Sequence, residues 1–265
     1  MIRPRNNNKN KVNRKPFPPN GGPSFVVPAL WSCASGNPRH VIADESRAEL
    51  AAISSLTRFR TGERIYGEGD RADAVFNLIT GVVKAYKSLP GARRHIVAFL
   101  FPDDLIGLAE EGRYVNSAEA VTATCGYRIP ATTLEARLRK DPCLEFHVIC
   151  KLCHELREAQ RHALILSRHS ALVKVGLFLQ MLDNYEAGRG GCSEELYLPM
   201  SRTDIADYLG MSLEVVSRSF RALASQGVIA FRNRRHVRII DRSRLDNITL
   251  ETERPALLRR RSAGQ

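Results

Sequence analysis

Glu214, Ser217 and Arg218 stand at i, i+3 and i+4, a spacing that on a helix sets a carboxylate, a hydroxyl and a guanidinium side by side. Such a set suits base edges in a major groove. A guanidinium can fork onto guanine, a carboxylate can accept from a cytosine amino group, and a hydroxyl can serve several edges. The elements that must position them are written into Leu198–Ile229, LPMSRTDIADYLGMSLEVVSRSFRALASQGVI. Ser201 is a candidate N-cap with Asp204 three residues on, and Ile205, Ala206 and Leu209 follow at helical spacing. Gly210 ends that helix where a left-handed residue is cheap, and Ser212 is placed to cap the next one. In the second helix Val215, Val216, Phe220 and Leu223 are expected to face inward. The pattern is a helix-turn-helix. The blander account, a surface helix with an incidental Glu–Arg pair, leaves the caps and the turn unexplained. Ser201, Arg202, Thr203 and Ser212, at the two helix starts, join Glu214, Ser217 and Arg218 as expected DNA-binding residues.

Just downstream, Gly227-Val-Ile-Ala-Phe and His236-Val-Arg-Ile-Ile suggest two short strands joined by Arg232-Asn-Arg-Arg, with Asn233 as turn residue. A helix-turn-helix followed by a hairpin is the winged arrangement. Arg232 and Arg234 at the wing tip are expected to touch phosphate, which fixes register without reading sequence.

Charge is distributed to match. The chain of 265 residues carries a net +12, of which +7 lies in residues 1–40 and +6 in residues 200–265, while residues 41–199 sum to −1. Basic character at the two ends suits a nucleic-acid partner and a middle with another task. No apolar run approaches the roughly 18 residues of a membrane span, and the Pro-broken Phe25-Val-Val-Pro-Ala-Leu-Trp is not a signal peptide. Six cysteines in a chain of this size do not form a disulfide framework, so reduced thiols and a cytoplasmic location are expected. There is no Gly-rich phosphate loop, H-E-x-x-H or nucleophile elbow to support an enzyme.

Residues 1–40 read as a basic leader, with 1–24 too polar and Pro-rich to bury a core. A short helix is expected from Arg47 to about Arg60. From Gly62 the texture changes to short strands separated by Gly and Asp turns, as in an antiparallel roll. Gly62-Glu63, Ile65-Tyr66, Glu68-Gly69-Asp70, Phe76, Leu78-Ile79, Gly81, Val83-Lys84 and Asp104-Leu-Ile-Gly107, followed by the winged motif, resemble the Crp/Fnr transcription regulators over roughly residues 47–245. The expected fold class is therefore α+β: a β-roll of the cyclic-nucleotide-binding kind over 41–140, a long dimerisation helix over 141–168, a winged helix-turn-helix over 169–248, and a basic tail over 249–265. After Asp141-Pro142 the residues Leu144, Val148, Leu152, Leu156, Ala159, Ala163 and Leu166 form a three/four stripe suited to a two-stranded coiled coil between subunits. A further helix is expected from Ser170 to Tyr185, with Leu172, Val175, Leu179 and Leu182 inward, before a Gly188-Arg-Gly-Gly191 loop.

The resemblance also frames the question of a ligand. Cyclic-AMP-binding members carry a Gly-Glu-Leu and an Arg-Ser pair in the segment matching Ile106–Ala118. Here that segment has Asn116-Ser117 in place of the Arg-Ser pair, so the arginine is absent, and two carboxylates, Glu110 and Glu111, stand nearby. A cyclic phosphate would gain little there. In the same members an arginine directly precedes the glutamate of the recognition helix, where this chain has Leu213. Oxygen-sensing Fnr members hold an iron–sulfur cluster on three closely spaced N-terminal cysteines and one in the roll. This chain offers Cys33 and, near the roll position, Cys125, whereas a cluster usually needs four thiolates. Cys150 and Cys153 form a C-x2-C, but within a helix they behave as small hydrophobes unless a partner adds ligands. His95, His162 and His169 show no ligand spacing and are expected to be ordinary surface or interface residues. The combination is similar to the FixK-like branch, and no cofactor is expected. Nitric oxide sensing through haem, another small ligand, or cysteine redox stay open as alternatives. The resemblance implies a cytoplasmic homodimer that binds double-stranded DNA at a TTGAT-N4-ATCAA-like inverted repeat and works with RNA polymerase.

Overall fold

The structure is a computed structural model that describes residues 44–91, 93–109, 111–188 and 195–250. The expected leader, nearly all of the basic tail, Glu110, and residues 189–191 of the glycine loop lie outside the described residues, as do Cys33 and Cys192.

The chain opens with α1 (Asp44–Ala52) and then runs through eight strands: β1 (Ser55–Phe59), β2 (Arg64–Tyr66), β3 (Ala74–Thr80), β4 (Val83–Leu89), β5 (Arg93–Leu100), β6 (Leu105–Ile106), β7 (Ser117–Ala120) and β8 (Thr124–Pro130). The helix expected to reach Arg60 stops at Ala52. Ser54 Oγ donates to the Ala51 carbonyl at 3.0 Å, and Leu56, Thr57 and Phe59 then favour extended backbone once β8 is there to pair with. Two antiparallel four-stranded sheets result, in the orders β1-β8-β3-β6 and β2-β7-β4-β5. Their facing side chains, Tyr66, Phe76, Leu78, Val83, Ile106 and Ala118, fill the space between. Gly81 makes the turn from β3 to β4 at φ +88°, where a Cβ would come within 2.6 Å of the Ala123 carbonyl, so only glycine fits.

Helix α2 (Ala131–Leu138) leads into α3 (Pro142–Ser167), 26 residues long. Asp141 caps α3 by accepting from the Leu144 amide at 3.0 Å, and Pro142 occupies its first turn, where no backbone donor is missed. The apolar stripe read from the sequence divides here. Leu144 and Val148 are buried within the chain against Leu50, Val75, Leu105, Ile129 and Leu134. Leu152 and Leu156 remain 43% and 60% exposed, and Phe146, Ile149 and Leu164 join them outside. The inward face continues instead through Lys151, His162 and Ile165. His162, expected at a surface or interface, is buried: its ring stacks on Tyr208 at 3.9 Å and its Nε2 lies 2.7 Å from the Tyr208 carbonyl oxygen. Packing against the rest of the chain shifts the buried face by part of a turn, which a three/four count cannot resolve.

Next come α4 (Ala171–Gly188), β9 (Leu196–Tyr197), α5 (Arg202–Leu209), α6 (Leu213–Ser225), β10 (Ile229–Phe231), β11 (His236–Ile239) and α7 (Arg242–Leu250). Helix α4 runs three residues past Tyr185. Its Val175, Phe178, Leu179 and Leu182 share one core with Leu209, Val216, Phe220 and Leu223. Strands β10, β11 and β9 form a small antiparallel sheet, with Ile229 opposite Ile239 and Val237 opposite Leu196. Helix α7, which the sequence pattern did not mark off from the wing, closes that core with Leu245. The whole is α+β, an antiparallel roll joined by a long helix to a winged helix-turn-helix.

Candidate nucleic-acid interface

Helix α5 begins with a complete capping box. The Asp204 amide donates to Ser201 Oγ at 3.0 Å, and the Ser201 amide donates back to Asp204 Oδ2 at 3.0 Å. Gly210 then turns the chain at φ +63°, its amide reaching the Ala206 carbonyl, and Ser212 Oγ accepts from the Val215 amide at 3.3 Å to start α6. The inward face of α6 is Val216, Ser219, Phe220 and Leu223, with Val215 half-buried. Ser219 is tolerated inside because its hydroxyl donates to the Val215 carbonyl at 2.9 Å.

The opposite face carries the expected reading set. Glu214 and Arg218 are exposed and Ser217 is half-exposed beside them. The backbone amide of Glu214, the Ser212 hydroxyl and the Arg218 charge hold the Glu214 carboxyl below its ordinary range, so it is an ionised acceptor. Leu213, in the first turn of α6, is 41% exposed on this otherwise polar end. In the sequence it stands out only as the replacement of an arginine. Its exposure as a large apolar side chain beside Glu214 and Ser217 is not evident from the sequence pattern.

The structure separates the remaining expected residues. Ser201 and Thr203 are exposed at the start of α5, and Ser212 at the start of α6. Arg202 is half-buried instead. Its guanidinium lies 3.5 Å over the Phe220 ring and 5.6 Å from the Phe231 ring, and burial lowers its pKa to about 10. It therefore ties the start of α5 to α6 and the wing. In the wing, Asn233 Oδ1 accepts from the amides of Arg235 at 2.8 Å and His236 at 3.0 Å, which is how an Asn makes a turn. Arg232 and Arg234 are exposed at its tip, Arg232 in an outer ion pair with Glu195 at 3.2 Å.

Aromatic and aliphatic side chains share the interior of the roll. Tyr66 and Tyr114 stack at 3.9 Å, and the Tyr114 hydroxyl donates to the Ala74 carbonyl at 2.7 Å. A Cβ on Gly107 would come within 3.1 Å of the Tyr114 ring. Ser117 Oγ is already accepting from the Glu68 amide at 2.9 Å. Cys125, Cys143, Cys150 and Cys153 are free thiols, with Cys153 exposed and Cys150 half-buried on α3. Among the described residues no group of three or more His, Cys, Asp or Glu is arranged to hold a metal ion. Nor is any helix among them long and apolar enough to cross a membrane.

Roll, long helix and winged motif with an exposed polar face on α6 define a two-domain DNA-binding regulator. Family models agree: residues 56–141 match the cyclic nucleotide-binding domain and residues 173–248 the Crp-like helix-turn-helix domain. The chain is 38% identical over 212 residues to the nitrogen fixation regulation protein FixK of Azorhizobium caulinodans, covering 78% of this chain and 85% of that one. It is 37% identical over 186 residues to the protein of the same name from Bradyrhizobium diazoefficiens, covering 69% and 78%. The solved structure of FixK2 from Bradyrhizobium japonicum superposes with a TM-score of 0.69 at 35% identity, over 74% of this chain and 97% of that one. The chain belongs to the Crp/Fnr family of transcription regulators, among its FixK-like members.

Proposed function

We propose that two copies of this chain act together in the cytoplasm on a TTGAT-N4-ATCAA-like inverted repeat and regulate transcription through RNA polymerase. The exposed Glu214, Ser217 and Arg218 on one face of α6 carry this reading. Arg218 takes the guanine and Glu214 the amino group of the paired cytosine, while Leu213 is placed to meet a thymine methyl. Ser201, Thr203 and Ser212 at the helix starts, and Arg232 and Arg234 in the wing, hold the phosphates. Arg202 acts behind them, from its place on Phe220.

The second copy joins along α3. Phe146, Ile149, Cys153, Leu156 and Ala163 are exposed at three/four spacing, with Leu152 and Ala159 beside them. Such a row suits a parallel pair of helices and sets the two recognition helices about one helical turn of DNA, ~34 Å, apart. No cofactor is required in this reading. Tyr66 and Tyr114 stack within the apolar cluster between the two sheets, and Ser117 Oγ accepts from the Glu68 amide.

Fluorescence anisotropy on duplexes carrying the repeat, single-base variants of it, and random sequence tests the assignment. Arg218→Ala is expected to cost roughly 1–3 kcal/mol on the repeat and to relax choice at the guanine position. Equal weakening on specific and random DNA would mean Arg218 touches phosphate only.

A further inference from the structure

Lys84 is a buried cation at the seam between the roll and the reading head. It projects from β4 and is only 6% exposed. Its ammonium donates to Asp204 Oδ1 at 2.8 Å and lies 3.0 Å from Glu119 Oε1 on β7. Asp204 is no incidental partner, since its other oxygen completes the capping box of α5. One carboxylate thus fastens the first helix of the helix-turn-helix both to its own cap and to the roll. A second attachment lies alongside, where Tyr208 of α5 stacks on buried His162 of α3 and tilts against Phe99 of β5 at 5.1 Å. Helix α5 is therefore held on the roll while Glu214 and Arg218 of α6 stay exposed.

From this geometry we infer that Lys84 is a positioning residue for DNA reading: its ion pair with Asp204 locks the helix-turn-helix on the roll in the orientation that presents α6. The inference rests on the DNA-reading function proposed above. Burying an ammonium is costly, and a lysine is retained at such a place only with its partners close. Burial draws the Lys84 pKa down, but hydrogen bonds and charge attraction from Asp204 and Glu119 outweigh it and the net shift is upward. The reciprocal holds at Asp204, where burial is outweighed by Lys84 and Ser201 and the carboxyl is held below its ordinary range. The pair stays charged across the physiological range. A dimer that must place two recognition helices on two half-sites gains affinity when each head is already oriented, because the ordering cost is met before binding.

Two variants separate this from a merely structural role. Lys84→Met keeps the stem and removes the charge, and Glu119 retains Arg94 at 3.4 Å. Asp204→Asn keeps an oxygen for the Ser201 amide and so leaves the cap, while losing the charge Lys84 pairs with. In anisotropy titrations each variant is expected to lose about tenfold in affinity for the inverted repeat, and the double variant no more than either alone. Binding to random duplex and the salt slope should stay as in the unaltered protein, because neither side chain holds a phosphate. Hydrogen exchange on the full-length protein should rise in residues 202–209 of either variant and stay unchanged in β3 and β8. Losses that add in the double variant, an unchanged affinity for the repeat, or a shallower salt slope would each overturn the inference. If the unaltered protein fails to prefer the repeat, the proposed function falls, while unchanged exchange in 202–209 would independently refute the lock.

Discussion

Glu155 should make this protein less stable as pH rises towards neutrality, and replacing it with Gln should remove that dependence. The residue sits on the inward side of α3, facing Tyr66 and the Lys151–Asp104 pair, and its Oε1 is buried with no hydrogen-bond partner. Burial raises its carboxyl from 4.5 to about 7; Lys151 opposes the shift and Asp104 adds to it. Between those two values the unfolded chain ionises while the folded one keeps its proton, so stability falls as pH rises. At about 1.36 kcal/mol per tenfold change in proton affinity, the full penalty above pH 7 is about 3 kcal/mol. A Gln at 155 brings its own buried amide, but that cost does not vary with pH. Urea unfolding of the two proteins at pH 5, 6, 7 and 8 isolates the ionisation. The stability of Glu155→Gln relative to the unaltered protein should climb by about 2.5 kcal/mol from pH 5 to pH 8. His154 and His162, both lowered chiefly by burial, titrate in either protein and cancel in the difference. A difference that stays flat with pH would mean that Glu155 is hydrated or paired, and would refute the argument.

Other expectations follow from the surface. Asp at both Leu152 and Leu156 should abolish dimerisation and specific DNA binding together, whereas Asp at Val148 should unfold the α3–roll seam; a single-subunit mass by light scattering for the unaltered protein at micromolar concentration would sink the dimer. Neutralising Arg232 or Arg234 should weaken all duplexes alike and reduce the salt slope by about one for each phosphate left unneutralised. Cyclic AMP should produce no gain in DNA affinity, and calorimetry showing tight binding coupled to such a gain would overturn that expectation.

Much of this architecture is legible in local chemistry. The Ser201–Asp204 capping box, the Gly210 turn, the Ser212 cap and the Asn233 turn are each decided within three or four residues, because caps and turns are satisfied by near neighbours. The Glu214, Ser217 and Arg218 face follows from helical spacing alone, as does the run of α3 from Asp141 onward. What the sequence could not decide is which side of a helix meets which surface. The three/four stripe on α3 contains both Leu144 and Val148, which the roll buries, and Leu152 and Leu156, which it leaves outside. Arg202 reads as a DNA-binding residue at a helix start, yet its guanidinium lies over Phe220; His162 reads as a surface or interface residue, yet Tyr208 covers it. Lys84 and Asp204, 120 positions apart, become one ion pair only when roll and reading head dock. Periodicity and capping are properties of a segment, whereas burial and ion pairing depend on partners brought close by the rest of the chain, and only the tertiary structure supplies those.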